Sequence, residues 1–283
     1  MSDRHERTLS TTESLQEYGR GLAGGLLFSL PLLYTMEVWW SGFLAAPLRL
    51  LCLLAFTYVL LLGYNRYAGL RYDAGWNEVA IDSVEELGLG LAIAAAVLFL
   101  LGRIHVGMSF DEILGKILVE AVVVAIGFSV GSAQLHAGGE EDAGKGGDDE
   151  KPAWTGELII AFCGAVLFAA NVAPTEEIVV IGVETPAVRL LGLVALSVLM
   201  GTLILYFTNF HRTDRAVRNE GSLDVVRGSA ITYAVALVAS ALILWFFGRF
   251  DGESAEIMVR QTVVLGLPAT LGASAGRLLL TSS

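Results

Sequence analysis

Apolar stretches about as long as a bilayer is thick, with few or no charges, recur along this chain. The first, Gly24 to Trp40 (GGLLFSLPLLYTMEVWW), holds one carboxylate, Glu37, near its far end. Apolar runs of roughly 18 or more residues are read as membrane-spanning helices. With 54% hydrophobic and 17% charged residues, and a mean hydropathy of +0.64, the chain is expected to be an all-α polytopic membrane protein. Cys52 and Cys163 fall inside apolar runs and read as small packing residues. The net charge of −11 is carried by loops and termini, and no basic cluster marks a nucleic-acid partner.

That first stretch occurs twice. At an offset of 140, Gly24, Leu27, Phe28, Thr35 and Glu37 become Gly164, Leu167, Phe168, Thr175 and Glu177. The register runs on through Gly42/Gly182, Arg49/Arg189 and Leu53/Leu193, with 11 identities in the 32 pairs from Gly24 to Ala55. Shared apolar composition does not align an acid, an arginine, a threonine and two glycines. At an offset of 146, Val79, Ser83, Leu91, Gly102 and Arg103 match Val225, Ser229, Leu237, Gly248 and Arg249. Glu112-Ile113 matches Glu256-Ile257, and Gly127-x-Ser129-x-Gly131 matches Gly272-x-Ser274-x-Gly276. These pairings predict about eight transmembrane helices arranged as two four-helix repeats. An even number of helices per repeat keeps both copies the same way up, so the repeats are expected to be parallel.

Residues 1–19 read as a polar leader, with Ser10-Thr11-Thr12-Glu13 suited to a helix start. Residues 20–135 form the first repeat, 136–154 an acidic, glycine-rich linker of disordered composition, and 155–283 the second repeat. Helix 1 is expected over Gly21–Trp40, helix 2 over Pro47–Tyr64, helix 3 over Ser83–Leu101 and helix 4 over Ile113–Leu135. The connector Asn65–Asp82 reads as an interfacial segment. The later helices should start near Gly156, Pro186, Ser229 and Thr262. Basic residues, counted by side, number twelve against six, which puts both termini of a multi-pass cell-membrane protein in the cytoplasm.

Acids inside apolar helices are costly and are candidate functional groups. Glu37 and Glu177 are the matched pair, expected at an outer mouth with Glu176 beside them, and Glu120 lies near mid-membrane. Glu85 and Glu86 open helix 3 at the inner side, so the acids together suggest a ladder of carboxylates from face to face. Against this stand plainer readings. Glu37 and Glu177 could pair with Arg49 and Arg189, Glu120 with Lys116 one turn away, and Glu85 and Glu86 could be solvated acids at a helix start. Pro31, Asn171 and Pro174 precede the paired glutamates, and a broken helix can turn carbonyl oxygens toward an ion.

Asn171-Val-Ala-Pro174-Thr-Glu176-Glu177 faintly resembles the proline–glutamate repeat motifs of cation/calcium exchangers, over that one segment only. Those families have inverted repeats, so their residues are not carried over. Gly127-x-Ser129-x-Gly131 has the spacing of a hydrolase motif, but inside an apolar helix small residues more simply let helices pack closely. The four histidines fall in termini or loops, and no metal, haem or triad constellation is visible. PLLYTMEVWW, the run from Asn77-Glu78 to Glu86, and NVAPTEE together resemble a bacterial and archaeal family of integral membrane proteins classed as a domain of unknown function. That resemblance covers nearly the whole chain and implies no activity.

The leading expectation is a cation channel or transporter, with Glu37 and Glu177 as ion-binding or selectivity groups, since acid rings suit cations. Its partners would be the lipid bilayer and a small cation (proton, sodium, potassium or calcium), with a homo-oligomer as one route to a channel. No cofactor and no enzymatic activity is expected. The alternative is a non-transporting membrane scaffold or sensory subunit with structural, interfacial acids.

Overall fold

The structure, a computed structural model, describes residues 11–69, 75–134, 154–211 and 222–282. The first ten residues and nearly all of the acidic linker lie outside them. The described residues form helices throughout: α1 (Thr11–Leu33), α2 (Met36–Leu44), α3 (Pro47–Ala68), α4 (Trp76–Leu100), α5 (Phe110–Gln134), α6 (Trp154–Val172), α7 (Glu176–Glu184), α8 (Ala187–His211), α9 (Ser222–Phe246) and α10 (Ala255–Ser282).

The expected first helix, Gly21–Trp40, is two helices. Pro31 has no N–H to donate and crowds the turn before it, which weakens the end of α1. Thr35 then adopts an extended conformation (φ −97°, ψ 117°) and caps α2, which leaves at 87° to α1. The chain after Val172 breaks in the same way, with Pro174 disfavouring helix at Ala173 and extended Thr175 (φ −75°, ψ 150°) starting α7. Both threonine hydroxyls turn back to the helix they follow, Thr35 to the Pro31 carbonyl and Thr175 to the Val172 carbonyl.

Among the described residues six helices (α3, α4, α5, α6, α8 and α9) are long and apolar enough to cross a membrane, and seven if the bent pair α1–α2 counts as one span. The expected eight are not reached. The first is bent, and in α10 Glu256, Arg260, Gln261 and Arg277 interrupt the apolar content. α4 also begins earlier than expected, at Trp76 rather than Ser83, so the connector after α3 is short. α5 is the innermost of the six, 78% buried over its span, whereas α4 and α8 are 22% buried and show most of their surface to the surroundings.

Helices cross at glycine. A Cβ on Gly24 would stand 2.5 Å from the Gly131 Cα and 2.6 Å from the Gly127 carbonyl oxygen, so α1 and α5 touch backbone to backbone. α6 and α10 do the same at Gly164, Gly272 and Gly276. The two GxSxG segments are therefore packing faces. Gly102 and Gly248 close α4 and α9 with φ +68° and +71°, a conformation that glycine adopts without strain. The following amides, Arg103 and Arg249, bond back to the Leu98 and Leu244 carbonyls.

Candidate functional site

All helix ends that adjoin the amino terminus of α1 share one end of the bundle, here the proximal end. The breaks at Thr35 and Thr175 lie at the other, distal end. Glu37 and Glu177 are each the second residue of a short helix, where unpaired N–H groups favour an acid. Arg249, in the turn between α9 and α10, reaches the second break. Its Nε donates to the Ala173 carbonyl at 3.3 Å and its Nη2 to the Pro174 carbonyl. Burial lowers the Arg249 pKa below the usual guanidinium range, and the charges of Glu176 and Glu37 oppose that shift. The oxygens freed by the broken helix are thus taken by the chain's own cation, where an ion was expected. The acids that act on Arg249 are Glu176 and Glu37, not the matched Glu177, although Glu176 and Glu177 are both exposed.

Asn171, just before this break, stitches the halves together. Its Nδ2 donates to the Phe28 carbonyl of α1 at 3.0 Å and to the Leu167 carbonyl at 2.7 Å. Its buried Oδ1 has no partner among the described residues. The alternative pairing of Glu37 with Arg49 is not found among the described residues. Arg49 binds Asp251 through two bonds of 2.6 Å and lies over the Trp245 ring. The first turn of α3 faces the α9–α10 turn, and the bend at Thr35 carries Glu37 aside. Arg189 is exposed.

At the proximal end the structure brings together four residues from α3, α4 and α5. Asn65 Nδ2 donates to Glu86 Oε2 at 2.7 Å and to Ser83 Oγ at 3.1 Å, and Ser129 Oγ donates to Asn65 Oδ1 at 3.0 Å. Glu86 is 9% exposed and Ser83 is fully buried. The reading of Glu86 as a solvated acid at a helix start is therefore overturned. α4 starts ten residues earlier, so Glu86 lies in its third turn, turned inward. Glu85 is exposed and accepts a hydrogen bond from the Tyr18 hydroxyl. Asn65, Ser83 and Ser129 do not stand out in the sequence as site residues, because their partners lie 18 to 64 positions apart. Only the serines leave a trace there, as matched positions in the two halves.

Glu120 lies nine residues before Ser129 on α5, about 14 Å along the axis. It is fully buried, and both carboxylate oxygens lack a partner among the described residues. The alternative pairing with Lys116 does not form. Lys116 binds Glu112 at 2.8 Å and the Arg103 carbonyl at 3.3 Å, one turn nearer the distal end. The equivalent end of α10 carries the same device, Arg260 with Glu256 at 2.7 Å.

The proximal end of the second half has the opposite character. Ser229, matched to Ser83, accepts from Thr202. Thr232 stands where Glu86 stands in the first half, and Arg277 donates to it at 2.9 Å and to Glu157 at 2.9 Å. Among the described residues, no three His, Cys, Asp or Glu side chains gather as they would to hold a metal.

The family described as "Putative integral membrane protein (DUF2391)" matches residues 17–280. No curated protein matches the chain, and no solved structure does. The apolar helices, glycine crossings and buried acids described above thus belong to a sequence whose likeness spans almost its full length, and the chain is a member of this integral membrane protein family.

Proposed function

We propose that the protein conducts or carries a small cation across the membrane, with Glu86 and Glu120 of its first half as the groups that hold it. The carrying observation is Glu120, a fully buried carboxylate with no partner among the described residues. A bare charge in a medium of low dielectric is too costly to persist, so this group needs a proton or a metal cation for company. Glu86, held by the Asn65 amide at 2.7 Å, offers a second such site nearer the proximal end. In this reading the route runs from Glu85 through Glu86 and Glu120 toward Glu37.

The halves are read as two parallel four-helix repeats, each with a bent first span, and both termini as cytoplasmic. Matched breaks, glycine crossings and helix caps support the duplication. Glu37, Glu176 and Glu177 then form a distal rim, where Arg249 offsets part of their charge. That arginine favours a second reading for the rim acids, in which they are structural, as in a membrane scaffold or sensory subunit.

Proteoliposomes loaded to follow protons, sodium, potassium and calcium test the proposal. Flux of one cation is expected in the wild type. It should fall at least about tenfold in Glu120→Gln and Glu86→Gln, and change little in the Glu37→Gln/Glu177→Gln pair. No flux of any of the four cations would sink the proposal and leave the scaffold reading.

A further inference from the structure

A cavity of about 270 Å³ opens at the proximal end of the second half, between α6, α9 and the end of α10. Two guanidinium groups, Arg227 and Arg277, line it together with one carboxylate, Glu157. Glu157 is already engaged with Arg277, and that pair, with Thr232, fixes the direction of the Arg277 fork. Arg227 is exposed and takes no ionic partner among the described residues. Two guanidiniums on one cavity with a single carboxylate leave an excess of positive charge that an anion would offset.

The rest of the lining says which anion. Leu158 and Ala161 of α6 face Ile231 and Val235 of α9, so the wall continues from the charged mouth down apolar turns of two candidate spans. Trp154, 63% exposed, stands at the rim, where an indole suits the boundary between headgroups and acyl chains. A free inorganic ion would use the mouth and leave those walls unpaired, whereas an amphiphile uses both. We infer that this cavity binds the phosphate of an anionic phospholipid, with Arg227 and Arg277 on the phosphate oxygens and the acyl chain along α6 and α9.

Guanidinium forks match phosphate oxygens two at a time, which a lone lysine does not. Basic pockets between membrane helices are a known way to hold such headgroups. The first half cannot do this at the same level. Its matched positions are Ile81 for Arg227, Ser132 for Arg277 and Glu86 for Thr232, and Glu85 and Asp82 add negative charge nearby. This inference is independent of cation transport.

Native mass spectrometry of the purified full-length protein, titrated with phosphatidylglycerol or phosphatidylcholine, tests it. Both lipids carry the same phosphate, but the choline cation neutralises it and would face the two guanidiniums, so phosphatidylglycerol should bind about tenfold tighter, or roughly 1.4 kcal/mol. Arg227→Gln should lose most of that preference with no change in melting temperature, because Arg227 has no ionic partner among the described residues. Arg227→Lys should keep part of it. Arg277→Gln could loosen the fold through Glu157 and Thr232, so Arg227 is the deciding position. Equal affinity for the two lipids, or an unchanged preference in Arg227→Gln, would overturn the inference. A third arm adds inorganic phosphate. Displacement of the lipid by low-millimolar phosphate would show a free-ion site and overturn the lipid assignment, and retention of the lipid supports it.

Discussion

The proximal ends of the two halves share a frame and differ in charge. In the first, Asn65, Ser83 and Ser129 hold a buried acid, Glu86. In the second, the matched serine Ser229 is held by Thr202, and the position of Glu86 is a threonine that helps fix an arginine. The glycine crossings, the helix caps and the i,i+4 ion pairs at the distal end are alike in both halves. Backbone contact leaves no room for change, while a polar side chain can be exchanged wherever its few partners change with it. One frame can therefore hold a buried acid at one proximal end and a guanidinium at the other.

The frame is the first place to break that comparison. Gly24→Ala would put a methyl against the backbone of α5, and Gly164→Ala would do so against α10. Neither helix can yield without losing its neighbours, so each substitution is expected to cost about 3 kcal/mol, at the upper end for overpacking. Thermal melting in detergent should show two losses of similar size. If one half tolerates its alanine, the two crossings are not equivalent and the shared frame fails.

The site chemistry is the second. Asn65→Leu strips Glu86 of its amide donor and Ser129 of its acceptor, and is expected to cost roughly 2 kcal/mol, as for a buried group left unsatisfied. Thr232→Val removes one contact from Arg277, which keeps Glu157, so about 1 kcal/mol is expected there. Chemical denaturation followed by tryptophan fluorescence would rank them. The reverse order would mean that the acid cluster of the first half is open to water.

Much of the frame was legible in the sequence, because spacing alone encodes it. Gly127 and Gly131 recur as Gly272 and Gly276, Gly102 as Gly248, and small residues at such spacing speak of close contact without knowledge of the partner. The bends at Thr35 and Thr175 were not legible. Met36, Val38 and Trp39 continue the apolar run without a drop, and hydropathy is blind to direction. Pro31 and Pro174 were the available signals: Pro174 lies in its break, whereas Pro31 stands inside α1, four residues before Thr35. Asn65 was lost for a related reason. It lies at the polar end of an apolar helix, where an exposed side chain is the ordinary outcome, and only α4 and α5 folding against it bury it. Arg249 likewise reads as a loop arginine until the second break brings Ala173 and Pro174 to it.

Glu120 sharpens the contrast from a different direction, because its matched region in α10 is apolar around Val264 and Leu265. A buried carboxylate without a partner works against folding, so an apolar side chain of similar size should relieve the fold. Glu120→Met is expected to raise stability by about 1 kcal/mol, within the range seen when buried charges are replaced by apolar groups. The same substitution should abolish cation flux. A loss of stability would show that Glu120 is a structural group with a partner of its own.

The smallest effect concerns the distal end, where Arg49 reaches Asp251 across the halves. The matched position in the first half is His105, and Arg189 stays exposed. The Arg49 guanidinium holds the Asp251 carboxyl below its usual 3.8, through the hydrogen bond first and the charge second. A depressed carboxyl pKa stabilises the fold above the unfolded value, and that stabilisation fades as pH falls through the folded value. Asp251 is 58% exposed, so solvent screening limits the pair to less than about 1 kcal/mol. Asp251→Asn should therefore melt a degree or two below the wild type at pH 7. The gap should close below pH 4 as the wild-type aspartate takes up its proton. His105→Asp would offer Arg189 the missing partner and should gain a similar amount at pH 7. No gain there, with the Asp251→Asn loss intact, would make the distal tie a property of one half alone, as the exposed Arg189 already suggests.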